Sequence, residues 1–193
     1  VSIMASIVLA GSSSGSVTIA APAAAGSTTL TLPAGSGTIV TTASNETNTP
    51  AFSAQLGSAQ TITNVTVTKA LFNNQLFDTD NAFDTSSNRF TVPTGKAGTY
   101  SISAHLRFAT SASNLNLAVL YLYKNNANTK LVYNNHNANG RGTADSIALT
   151  TLLDLNAGDY LEIFAYMGGG STGSGHQLNT GQHTVFCGHK LIT

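Results

Sequence analysis

The chain has 193 residues and a mass of 19.8 kDa, room for one large domain or one domain with a short extension. Hydrophobic residues make up 41%, enough for a core, but only 8% are charged against the roughly 25% usual for soluble domains. With 8 basic and 8 acidic residues there is no field to steer nucleic acid or hold an anionic membrane, so neither partner is expected.

Solubility must then come from Ser, Thr, Asn and Gly, a surface that suits a long-lived extracellular or virion setting. Cys187 is the single cysteine, so no disulfide forms within the chain. The apolar run Ile7-Val8-Leu9-Ala10 is far too short to span a bilayer. No Lys or Arg precedes Lys69, so no secretory signal is expected, and Met4 reads as a natural start.

Residues 1–48 are built from Ala, Gly, Ser, Thr and small β-branched residues, with Glu46 as the only charge. Apolar peaks at Ile7–Leu9, Val17–Ile19, Leu30–Leu32 and Ile39–Val40 alternate with Gly, Ser and Pro punctuation, which predicts three or four short strands. So small a segment sits near the limit of independent stability and needs a partner. After the polar stretch ending in Thr49-Pro50 the texture changes. Aromatic residues appear, and period-2 alternation runs through Tyr100, Ile102, Ala104, Leu106 and Phe108, and through Leu115, Leu117, Val119, Tyr121 and Tyr123. Turn clusters such as Lys124-Asn125-Asn126 and Asn156-Ala157-Gly158-Asp159 cut residues 49–193 into eight to ten strands. No segment keeps a helical period. The class is all-β, a sandwich or jelly roll.

The order of motifs carries a resemblance. Pro50-Ala51-Phe52-Ser53-Ala54 opens the head, and Arg89-Phe90-Thr91-Val92-Pro93 follows Phe77-Asp78 and Phe83-Asp84. Gly98-Thr99-Tyr100-Ser101-Ile102-Ser103, Leu122-Tyr123-Lys124-Asn125, Leu155–Leu161 and Phe186–Leu191 come next. In this order they resemble the C1q-like head, a relative of the tumour necrosis factor jelly roll. The resemblance implies a ten-stranded jelly roll whose inner sheet packs around a threefold axis, hence a homotrimer. Residues 1–48 lack the Gly-X-Y period of a collagen stalk. Their Gly-Ser-Val-Thr-Ile and Thr-Leu-Thr-Leu-Pro-Ala segments look like those of phage tail-fibre and other virion proteins. Hiding roughly 1,000 Å² of apolar surface per subunit would supply about 25 kcal/mol of gross transfer free energy, which association entropy and desolvation only partly offset.

Catalytic signatures are weak. The strings Gly11–Gly15 and Gly169–Gly173 match Gly-x-Ser-x-Gly, but neither precedes a helical pattern as a nucleophile elbow must. Asp78, Asp80 and Asp84 miss the calcium-loop pattern, because Phe83 stands where Gly is required and Arg89 where the bidentate Glu belongs; they read as turn caps. No enzyme activity, metal or cofactor is expected. His183, Val185, Cys187 and His189 share one face of the last strand by parity. With His105 and Arg107 they are the candidate trimer-interface residues, a partly polar seam around the axis. The two longest polar loops of the head supply the candidate ligand contacts: Tyr133, Asn135, His136, Asn137 and Arg141 in one, His176 and Gln177 in the other.

The reading that results is a phage-type virion surface protein, a short fibre, spike or capsid decoration. Residues 1–48 would anchor it to a capsid or tail protein, and the trimeric head at 49–193 would face outward for attachment to a host surface or glycan. The alternative is a secreted, non-viral C1q-like lectin trimer that binds carbohydrate.

Overall fold

The computed structural model describes residues 6–10, 12–20, 29, 34, 48–111, 115–136, 142–169 and 175–191. The chain divides into two compact units, Val1–Asn45 and Glu46–Thr193. In the first, β1 (Ser6–Ala10) and β2 (Ser16–Ala20) form an antiparallel ribbon in which Ile7 faces Ile19 and Leu9 faces Val17. The Gly/Ser string between them therefore joins two strands, not a strand and a helix. A lone ribbon has no second layer to bury its side chains. Accordingly Ile7, Val8, Leu9 and Ile19 stay between 49% and 63% exposed.

The second unit begins with β3 (Ala51–Leu56), β4 (Gln60–Thr61), β5 (Thr68–Lys69), β6 (Asn74–Asp78), β7 (Phe83–Asp84) and β8 (Arg89–Thr91). It continues with β9 (Gly98–Ala109), β10 (Leu115–Lys124), β11 (Ala127–Asn135), β12 (Ala144–Leu155), β13 (Tyr160–Gly169), β14 (Gln177–Leu178) and β15 (Gly181–Lys190). Its described residues contain no helix. A six-stranded sheet runs β11-β10-β13-β8-β7, with β5 also on β13. In the seven-stranded sheet β9 pairs β12 on one flank and β15 and β14 on the other, and β15 pairs β3, which pairs β6. All these pairings are antiparallel, and first and last strands of the head lie side by side: a jelly roll.

Local sequence explains the turns. Asn125 and Asn126 both take positive φ, 52° and 65°, the mirror-image geometry a two-residue hairpin loop needs between β10 and β11. Alternation explains β9, where Tyr100, Ile102, Ala104, Leu106 and Phe108 all point inward and are buried. On β10 the outcome differs from the alternation read in the sequence. Ala118, Leu120 and Leu122 fill the core, and Leu117, Tyr121 and Tyr123 face the other way, half-buried, with Val119 on their side of the strand yet only 5% exposed. Both phases of this strand are apolar, so period alone does not choose the inward one. A register shift between Leu115 and Leu117 also lets Leu115 be buried with the other set.

The two sheets are clamped by phenylalanines. Phe52 of β3 stacks on Phe90 of β8 at 4.6 Å and on Phe83 of β7 at 5.3 Å between ring centroids. Phe186 of β15 meets Phe52 edge-on at 4.9 Å and reaches Phe72 at 5.6 Å. Each such pair adds about 0.5–1.5 kcal/mol beyond the burial of its area.

Gly188, directly between Phe52 and Ile102 in the sheet, lets this packing close. A Cβ there would stand 2.6 Å from Ile102 Cδ1, 2.9 Å from the Ser101 carbonyl oxygen and 3.2 Å from Phe52 Cε1. The backbone oxygen cannot yield without moving the sheet. Gly188→Ala gains about 0.5–1 kcal/mol from a stiffer chain, but overpacking at such a site costs about 1–3 kcal/mol. The variant should lose stability in urea denaturation; equal or greater stability would mean that no notch is needed at this position.

Candidate functional site

Two surfaces of the head hold the chemistry. The first lies where β10, β11 and β13 end together. Leu117 pairs Asn135 on one side and Gly168 on the other, and Val119 pairs Tyr133 and Tyr166 in the same way. Beside these rows is a groove of about 380 Å³ lined by Asn116, Asn135, His136, Tyr166 and Val65. Its rim is tied down. Asp145 of β12 accepts hydrogen bonds from Asn134 Nδ2 at 3.0 Å and from the Ser146 amide at 2.8 Å, and holds His136 Nε2 at 3.0 Å. The His136 amide donates to the Asn116 carbonyl at 2.7 Å. On the opposite wall the Asn64 side chain is bonded to both backbone groups of Gly169, accepting at 3.0 Å and donating at 3.3 Å.

Of the candidate ligand contacts, Tyr133, Asn135 and His136 lie together here. Tyr133 is 59% exposed, and Asn135 and His136 line the groove. Asn137 and Arg141 lie outside the described residues. His176 and Gln177 do not join the group. Gln177 pairs with Thr61 and Ala109 in the seven-stranded sheet. His176 is 4% exposed, with its carbonyl accepting the Ile62 amide at 2.8 Å and its Nε2 without a partner among the described residues. It is a buried anchor for the chain before β14, not a surface contact.

The second surface is the solvent-facing side of the seven-stranded sheet. His105, Arg107, His183, Val185, Cys187 and His189 all fall on it, as strand parity requires. One row across it reads Phe77, Ser53, Cys187, Ser103 and Thr150; the next reads Ala51, His189, Ser101 and Leu152. A third reads Gln55, Val185, His105 and Ala148. None of these rows contains Lys, Arg, Asp or Glu. A depression of about 500 Å³ opens in the middle, between Phe77, Ser53, Ser103, Cys187 and His189. Burial pushes the Cys187 thiol above its ordinary range, so the thiolate is disfavoured there.

The acidic cluster acts as turn caps. Asp78 accepts from the amides of Asp80 at 3.2 Å and Phe83 at 2.8 Å. Asp84 binds the amides and hydroxyls of Ser86 and Ser87, which hold its carboxyl well below the usual range. Among the described residues no group of three or more His, Cys, Asp and Glu side chains is placed to hold a metal.

One set of residues was not singled out by the sequence. Tyr121, Tyr123, Phe164 and Tyr166 form a half-buried aromatic strip on the outward side of the six-stranded sheet, continuous with Tyr133 and the groove. Tyr123 and Phe164 lie 4.4 Å apart at 40°, and Tyr121 meets Tyr123 at 6.2 Å. The signal for it was the aromatic residues at alternate positions, Tyr121 and Tyr123 of β10 and Phe164 and Tyr166 of β13.

Sheet order and strand pairing together define a jelly-roll head. Residues 51–191 match the C1q domain family, and the chain belongs to it. The globular domain of zebrafish complement 1qA is similar at 17% identity and a TM-score of 0.53, covering 74% of this chain and 98% of that one. Eiger TNF from S. frugiperda aligns at 13% identity and 0.52, over 74% of this chain and 92% of its own. Murine APRIL aligns at 10% and 0.51, over 73% and 98%. None of the curated proteins matches the chain.

Burial lowers the pKa of His176 from its ordinary 6.5. The unfolded chain therefore takes up a proton near pH 6.5 that the folded chain refuses, and stability falls as pH drops below that value. Thermal midpoints measured from pH 8 to pH 5 should decline more steeply for the natural chain than for His176→Gln. Parallel profiles would remove the burial argument.

Proposed function

We propose that this chain is a homotrimeric attachment protein of a phage-type virion, with the C1q-type head displayed outward and the N-terminal unit joined to a capsid or tail protein. C1q- and TNF-like domains typically form homotrimers and serve as structural or binding modules, and the role here is binding without turnover. The observation that carries the reading is the solvent-facing side of the seven-stranded sheet. Its three central rows have no formal charge, a depression of about 500 Å³ at their centre, and apolar ends at Phe77 and Leu152, 52% and 60% exposed. A free surface of that kind would be a liability. A closed ring uses head-to-tail contacts, one patch of each copy meeting a different patch of the next. Leu152 on β12 is the projecting side chain and the depression beside Phe77 is its receiver.

The virion setting is supported by the low charge of the chain and by the β1–β2 ribbon. Its apolar side chains are exposed on both faces, so they require a cover that a larger particle supplies. Three linked heads would also raise avidity without any new contact.

Light scattering on the full chain should give the mass of three 19.8 kDa chains. Leu152→Arg should shift the mass to that of one chain, because a charge buried at the seam lacks a partner. A folded natural chain that stays monomeric when concentrated would end the trimer reading. Immunogold labelling should place the chain on particles, and soluble trimers found apart from any particle would favour the secreted lectin instead.

A further inference from the structure

We propose that the outward side of the six-stranded sheet is a carbohydrate-binding surface for an uncharged polysaccharide, with sugar faces stacked along the tyrosine strip and one sugar residue held in the groove at its end. The inference rests on the attachment reading and gives that module its ligand class.

The argument starts from where the two kinds of phenyl ring go. Of eight phenylalanines, Phe52, Phe72, Phe83, Phe90, Phe108 and Phe186 are in the core. Of six tyrosines, Tyr100 alone is in the core; Tyr121, Tyr123, Tyr133, Tyr160 and Tyr166 stand on this one outward face. Hydrophobicity alone does not require such sorting, since an outward face needs no ring at all. A tyrosine ring offers a flat apolar face and a polar tip, at little cost in side-chain entropy. Those are the properties that match a sugar, which carries C–H groups on its faces and hydroxyls around its edge.

The rings are arranged for an extended ligand. Tyr133, Val119 and Tyr166 form one row, Leu131, Tyr121 and Phe164 the next, and Tyr123 the one beyond. From Tyr123 to Leu117, at the groove, is six residues of strand, about 20 Å. The groove, at about 380 Å³, is in the size range of small-ligand sites. Its Asn116 and Asn135 amides each offer two donors and an acceptor, the set that a pair of neighbouring hydroxyls uses. Val65, at its wall, has φ 58°, the only non-glycine residue other than asparagine with positive φ among the described residues, and is 62% exposed. A β-branched residue in that region is strained. It is held there by its amide on the Met167 carbonyl at 2.8 Å, and the neighbouring Asn64 clamps Gly169. The result is an apolar wall projecting beside the amides.

Charge decides the class of glycan. On this face Lys69 is bound to Glu162 at 2.6 Å, and Arg89 lies over the Tyr160 ring at 4.6 Å and donates to Ser87 Oγ at 3.1 Å. Asp84 is taken up by Ser86 and Ser87. Among the described residues, Lys130 of β11 pairs Leu122 and so takes the other side of its strand, and an acidic polysaccharide meets no unpaired cation along the rows of the strip, whereas a neutral one gives up no ion pair by binding.

The chain has no tryptophan, so its intrinsic emission is tyrosine emission, and five of the six emitters are on the strip. The full chain is titrated with dextran, mannan and laminarin, with alginate as the acidic control. At least one neutral polysaccharide should change the emission saturably, and alginate should not. Tyr133→Ala should weaken that binding at least tenfold and Asn135→Ala several-fold, both with the assembly mass unchanged, and Tyr133→Phe should restore most of it. The proposal is overturned if no neutral polysaccharide titrates, if alginate is preferred, or if Tyr133→Ala binds as the natural chain does. It is also overturned if that substitution lowers the assembly mass, which would make the strip an interface between copies. A monomer that still titrates would refute only the trimeric reading; a trimer on particles that titrates with nothing would refute only this inference.

Discussion

The head depends on one packing arrangement, the phenylalanine stack centred on Phe52. That ring is gripped from the six-stranded sheet by Phe83 and Phe90 and met edge-on by Phe186 from the last strand. It therefore joins the beginning, middle and end of the domain in a single contact. Gly188 permits the grip, because any side chain at that position would collide with Ile102 and a backbone oxygen. With the stack closed, β3 and β15 lie next to each other, and the faces of both sheets turned away from it are determined.

Those outward faces are unlike each other. The seven-stranded sheet presents serines, a half-buried thiol, three histidines and a central depression, with its large exposed apolar residues, Phe77 and Leu152, at the ends. Small neutral side chains allow two sheets to approach closely at little desolvation cost, which suits contact between identical copies. The six-stranded sheet presents large amphipathic rings and amides, which suit a flat polar ligand. A trimer built on the first face leaves the second pointing to solvent three times over. The sparse charge suits both uses: the three central rows of the first face carry no carboxylate, ammonium or guanidinium, and on the second Lys69 is paired with Glu162 and Arg89 lies over Tyr160.

Much of this was legible in the sequence. The β9 alternation, the Asn125-Asn126 turn and the motif order from Phe52 to Leu191 placed the strands and the family, because each is a local pattern or a chain of local patterns. Strand parity placed His183, Val185, Cys187 and His189 on one face without any tertiary information, since alternate residues of a strand cannot do otherwise. Tyr133, Asn135 and His136 were grouped as part of one polar loop, whereas Tyr133 and Asn135 belong to β11 and His136 directly follows it. The reading of His176 as a ligand contact of the second loop was not sound, since it is buried. A histidine beside glycines reads as a loop tip, and only the pairing of Gln177 and Leu178 with β9 pulls it inside.

What the sequence by itself determined is the all-β class, the turns, the sparse charge and the existence of two faces on each strand. Which face of β10 turns inward was decided by the tertiary structure, because both of its phases are apolar and only the partner sheet distinguishes them. The same holds for the tyrosine strip and the groove. Their residues come from β10, β11, β13 and the chain before β5, and long-range pairing brings them together where no local period could foretell it.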